Sequence, residues 1–100
     1  MEVTINLRDG NVSTFSIDIS RIDRIDINVV EIYCRFARGS GKFKYLLNFL
    51  TDNSDTFLQQ MTISSGDSLY LNDVVIKNYM YALRFSDKLQ LFEEKLTLYL

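Results

Sequence analysis

Histidine, tryptophan and proline are absent from the chain, and cysteine occurs once. The missing histidine removes the commonest general base and the commonest side-chain metal ligand together. A single cysteine, Cys34, rules out an internal disulfide and fits a reducing compartment, or one where redox state is irrelevant. No segment approaches the roughly 18–20 consecutive apolar residues that cross a bilayer as a helix. The opening stretch, MEVTINLRDG, carries an acid at position 2 and no apolar run, so it does not read as a signal peptide. Repeats, low-complexity tracts and linkers are missing as well. These absences lead us to expect a soluble protein that stays in the cytoplasm or is built into a virion or similar assembly.

What is there has the composition of an ordinary globular domain. Hydrophobic residues make up 47% and charged residues 24% of the chain, which is too apolar for intrinsic disorder. A length of 100 residues suits one domain with its own core, here a single β-rich domain over residues 1–100. The formal net charge is −2, from 11 basic and 13 acidic residues. A nucleic-acid binder is expected to lean basic, and a charge mimic of DNA to lean far more acidic. The chain does neither.

Short alternating apolar segments separated by turn residues dominate, which is the pattern of antiparallel strands. Val3, Ile5 and Leu7 alternate with polar neighbours, as do Phe15, Ile17 and Ile19. A loop from Asp9 to Asn11 sets Ile5 opposite Phe15 and Val3 opposite Ile17, with Asn11 as the left-handed residue. In RFARGSGKFKY, residues 35–45, a turn at Gly39-Ser40 sets Phe36 opposite Phe43, Cys34 opposite Tyr45, Ile32 opposite Leu47 and Val30 opposite Phe49. The Gly-Ser-Gly-Lys run also ends a phosphate-binding loop. Yet Phe36 stands where that loop needs a glycine, and Phe43 where it needs the hydroxyl that reaches magnesium. A helix competes with the second strand, because Phe43, Leu46, Leu47 and Leu50 have i, i+3, i+4, i+7 spacing.

In SRIDRIDINVV the apolar phase switches, which calls for a bulge near Val29-Val30 or a turn between two strands. Residues 52–61, where polar capping residues precede Phe57, Leu58 and Met61, predict a short helix. Asn72-Asp73 predicts a tight hairpin between SLYL and VVIK. Tyr79, Tyr81, Leu83 and Phe85 alternate cleanly, and the last segment reads as strands interrupted at Glu93-Glu94. The expected fold is therefore mainly β, an antiparallel β-sandwich or barrel of about seven or eight short strands with one or two short helices. The alternative is α+β, with helices near 42–51 and 87–97.

Few residues offer chemistry. Cys34 falls on the apolar face of a strand with no histidine to activate it, so it reads as a small buried hydrophobe. Asp18, Asp23 and Asp26 lie beside Arg21 and Arg24, the signature of a solvated ion-pair strip. Asp52, Ser54 and Thr56 begin like a calcium loop, but Phe57 and Ile63 replace the glycine and glutamate it requires. No catalytic residue, metal site or cofactor is expected. Two binding surfaces are. Between Ile32 and Thr51 the charges are Arg35, Arg38, Lys42 and Lys44 with no acid, and Tyr33 adds an aromatic ring beside Arg35. At the other end, Leu96, Leu98 and Leu100 would form an apolar row on a C-terminal edge strand.

These features point to a non-enzymatic protein–protein interaction module, a small structural or assembly subunit of the kind viruses and mobile elements carry. Another protein or a second copy is the expected partner. Nucleic acid has weak support from the charge balance, and neither a membrane nor a small-molecule substrate is expected. The alternative is a small inhibitor or adaptor that blocks another macromolecule, including at a nucleic-acid-binding site.

Overall fold

A computed structural model describes residues 1–54 and 59–100. Among these the chain forms β1 (Glu2–Asn6), β2 (Val12–Ser16), β3 (Arg21–Asp26), β4 (Val29–Phe36), α1 (Lys44–Asp52), β5 (Gln59–Ser65), β6 (Ser68–Ile76), β7 (Asn78–Ser86) and β8 (Leu91–Tyr99). The fold is mainly β, with eight strands in two antiparallel sheets and one short helix. One sheet has the order β2-β1-β5-β6 and the other β3-β4-β8-β7. Alternation puts every second side chain inward. Val3 and Ile5 of β1 with Met61 and Ile63 of β5 meet Val30, Ile32 and Cys34 of β4 with Leu96 and Leu98 of β8 in one core. Burying each of the larger side chains contributes roughly 1.5–3 kcal/mol.

The segment after Gly41 becomes α1 rather than a strand. Both edges of β4 are already occupied, by β3 on one side and β8 on the other, so no edge is left for residues 43–49. In their place Cys34 faces Glu94, and Phe36 faces Phe92. The helical spacing then prevails, burying Phe43, Leu46 and Leu50 in the core. Phe49 meets Phe15 of β2 edge-on at 5.6 Å, and Thr51 Oγ1 lies 3.1 Å from the Tyr79 hydroxyl on β7, so α1 links the two sheets. Tyr45, expected against Cys34, is instead exposed on the helix. Gly39 does adopt a left-handed φ of 87°, but it turns the chain from strand into helix.

Other expectations are corrected in detail. The β1–β2 hairpin pairs Val3 with Phe15 and Ile5 with Ser13, two residues from the expected register, which keeps the same side chains facing inward. Gly10, with φ 91°, takes the left-handed position expected of Asn11, while Asp9 Oδ1 accepts the Asn11 N–H. The phase switch in SRIDRIDINVV takes the second of its two expected forms, a turn between β3 and β4, with a register break between Arg24 and Asp26. Asn53, expected among the capping residues of a following helix, closes α1, since its N–H and side-chain amide both donate to the Phe49 carbonyl. Gln59 to Met61 already belong to β5, and Phe57 and Leu58 lie outside the described residues.

Asn72-Asp73 does not reverse the chain. β6 runs through it, and Asp73 takes φ 48° at a bulge opposite Thr62. The reversal occurs at Gly66-Asp67, which sets Ser65 opposite Ser68. β8 likewise continues through Glu93-Glu94, and neither the interruption nor a helix near 87–97 forms. Its inward series is Phe92, Glu94, Leu96 and Leu98, so one carboxylate breaks an otherwise apolar face.

Candidate functional site

The outer face of the β3-β4-β8-β7 sheet gathers charge. Cross-strand register places Arg21 beside Tyr33, Tyr33 beside Lys95 and Lys95 beside Ala82, with Arg35, Glu93 and Arg84 in the next row. Arg21, Tyr33, Ala82, Arg84, Glu93 and Lys95 line a cleft of about 230 Å³. Glu93 is nearly buried and ion-paired with Arg84 at 2.8 Å and Arg35 at 3.2 Å. Hydrogen bonds from Arg84 and then Arg35 outweigh its desolvation and hold its carboxyl below the usual range. The Arg21 guanidinium lies 4.1 Å from the centre of the Tyr33 ring while pairing with Asp23 at 3.0 Å. Lys95 reaches Glu31 at 3.4 Å. Cations and carboxylates therefore compensate one another across this face.

The basic window seen in the sequence is divided by the fold. Tyr33 and Arg35 lie on the outer sheet face, and the Tyr33 hydroxyl donates to Glu31. Arg38 sits exposed in the loop after β4, and Lys44 is exposed at the first position of α1. Lys42 pairs with Asp18 at 2.8 Å, which lowers the Asp18 pKa. Residues adjacent in sequence thus serve separate surfaces.

The C-terminal row is placed differently again. Leu96 and Leu98 are fully buried and Leu100 packs partly against the core. β8 is an interior strand of its sheet, so this row builds the core of the chain itself instead of an edge available to a partner.

The open apolar surface lies at the other end of the same inner face. Along β4 and β8 the inward residues Ile32, Cys34, Leu96 and Glu94 are fully covered, and coverage then gives out at Phe36 and Phe92. On β7, Tyr81, Leu83 and Phe85 are 39%, 50% and 46% exposed. Phe92 stacks on Phe36 with ring centres 5.1 Å apart and meets Phe85 edge-on at 5.1 Å. Aromatic side chains of three strands form a small, partly exposed cluster.

Glu94 marks the boundary of the covered region. Its carboxylate accepts the N–H groups of Lys42 and Phe43 at the mouth of α1, and the Tyr81 hydroxyl at 2.8 Å. No side chain of Phe43 caps the helix, so this distant carboxylate compensates the positive helix end. Its hydrogen bonds are all structural. Burial, with the Glu94 charge next in importance, pushes the Cys34 thiol up to about 12, which removes it as a nucleophile near neutral pH.

Sequence reasoning recognised the alternation of Tyr79, Tyr81, Leu83 and Phe85 but not its exposure. Among the described residues there is no group of three or more potential metal ligands, and no helix is long and apolar enough to cross a membrane. No family model matches the chain, and no curated protein or solved structure matches it.

Proposed function

We propose that the chain is a non-catalytic protein–protein interaction module, a small subunit of a larger assembly that docks through the open end of its β3-β4-β8-β7 sheet. The observation behind this reading is the row of Tyr81, Leu83 and Phe85, half exposed on an inner face where Leu96 and Glu94, the partners of Tyr81 and Leu83 on β8, are fully buried. Such a contiguous apolar surface is costly to leave in water and commonly marks an interface. The inhibitor reading through the basic window has less support, because Arg35 is committed to Glu93 and Lys42 to Asp18. Capture from the native host, comparing the chain with its Leu83→Ser, Phe85→Ser variant, tests the proposal. A partner retained by the parent and lost by the variant, with melting nearly unchanged, is the expected result. Identical capture by both proteins would sink it.

A further inference from the structure

The two sheets expose four edges, and three of them are protected against further pairing. β2 is only five residues long. β3 carries Arg21, Asp23, Arg24 and Asp26 and breaks register near its end. β6 is long, but Asp73 at φ 48° interrupts its pairing with β5. Short length, charge and bulges are the usual ways in which natural sheets block edge-to-edge growth. β7 has none of them. It is nine residues long, pairs with β8 without a register break, and its one charge, Arg84, is tied to Glu93 on the outer face. No described strand pairs with its other edge.

We infer that the occupant of this edge is the β7 edge of a second copy, joined antiparallel about a two-fold axis through Ala82. The inference rests on the interaction-module reading and names its partner. The sequence of β7 is self-complementary in that register. Ala82 meets its own copy, Tyr81 meets Leu83, Tyr79 meets Phe85, and Met80 meets the aliphatic stem of Arg84. At the strand ends Asn78 meets Ser86, and just beyond them Lys77 meets Asp87 on both sides of the axis. Apolar residues therefore pair with apolar ones, and opposite charges meet at the margins. Moving the axis to Tyr81 puts Phe85 against Lys77, and moving it to Leu83 puts Tyr79 against Asp87. Of these three central axes, the one at Ala82 avoids both mismatches. Each contact occurs twice, as an isologous interface requires, and the two four-stranded sheets become one continuous sheet of eight.

Two measurements on the whole chain test this. Sedimentation equilibrium from low micromolar to near-millimolar concentration should show the mass rising from 11.7 kDa toward twice that value. Leu83→Lys should weaken the dimer by at least about tenfold, with circular dichroism and melting preserved because Leu83 is half exposed. Under mild oxidation Ala82→Cys should form a disulfide-linked dimer, since facing residues of an antiparallel pair lie within disulfide reach. Leu69→Cys, exposed on the β6 edge, should not, and the buried Cys34 supplies no competing thiol. A single-chain mass at every concentration overturns the inference, as does a dimer that survives Leu83→Lys or equal cross-linking at both introduced thiols. If the chain stays monomeric but the Leu83→Ser, Phe85→Ser variant loses a captured protein, self-pairing fails while the module reading stands.

Discussion

Glu94 and Gly41 compete for the same space. A Cβ placed on Gly41 would lie 2.5 Å from Glu94 Oε2, closer than real contacts allow. Glycine is thus required here by close approach, since the carboxylate is fully buried and fixed by Lys42, Phe43 and Tyr81. Gly41→Ala should displace it and weaken all three hydrogen bonds, at a cost of about 1–3 kcal/mol. Glu94→Gln should cost a similar amount, because an amide nitrogen cannot accept the N–H it would face. For a domain of this size each kcal/mol lowers the melting temperature by roughly 4–8 °C. The two changes act on one contact, so the double variant should lose less than the sum of the single losses. Strict additivity in thermal melts would show that the two residues act independently.

Cys34 should make the fold sensitive to high pH. Its thiol is raised from an ordinary 9.0 to about 12, chiefly by burial. A group whose folded pKa is raised contributes stability that is present in full below its unfolded pKa and lost as pH rises toward the folded one. The loss therefore begins near pH 9 and proceeds toward 12, with a slope of up to about 1.4 kcal/mol per pH unit. Tyr81, also raised, by burial first and then by its hydrogen bond to Glu94, acts in the same direction from about pH 10 upward. Urea midpoints measured between about pH 8 and pH 10.5 should fall for the parent chain and stay flatter for Cys34→Ala. Parallel pH profiles would rule out Cys34 as the source. In native buffer at neutral pH the thiol should also resist aromatic disulfide reagents until the chain unfolds.

The strand content and the inner face of β4 were legible because period-two alternation reports directly on which side of a sheet is buried. The first hairpin shows the tolerance of that signal: its register is off by two, yet Val3 and Ile5 still point inward. Residues 43–50 were not legible, because Phe43, Leu47 and Phe49 suit a strand as well as Phe43, Leu46 and Leu50 suit a helix. What decides between them is long-range. β8 occupies the edge of β4 that a hairpin would need, and Glu94 of β8 meets the mouth of α1. The same remoteness explains Glu93-Glu94, which looks like a strand break until Arg35, Arg84 and the Lys42 and Phe43 N–H groups are placed around it. The division of the basic window was hidden for the converse reason. Arg35, Arg38, Lys42 and Lys44 are neighbours in sequence, but the chain passes from sheet to loop to helix among them.

Asp73 should hold the bulge that distinguishes the β6 edge from the β7 edge. Its φ of 48° is unfavourable for most side chains, and it is fastened to β5 by two hydrogen bonds. Thr62 Oγ1 donates to Asp73 Oδ1 at 2.9 Å, and the Asp73 N–H donates to Thr62 Oγ1 at 3.1 Å. Asp73→Asn keeps an acceptor and tolerates the left-handed backbone, so its melting should stay close to the parent's. Asp73→Gly keeps the backbone conformation but loses the side-chain bond, for a loss of about 0.5–1.5 kcal/mol. Asp73→Val loses that bond and adds about 1–2 kcal/mol for a branched side chain at positive φ. Relief of this strain is available if β6 straightens, and a straight nine-residue β6 would be as open to pairing as β7. Melting temperatures should therefore fall in the order Asn, Gly, Val, and Asp73→Val should add concentration-dependent turbidity on warming. A Val variant that melts with the parent and stays clear would show that the bulge is held by the rest of the sheet and not by Asp73.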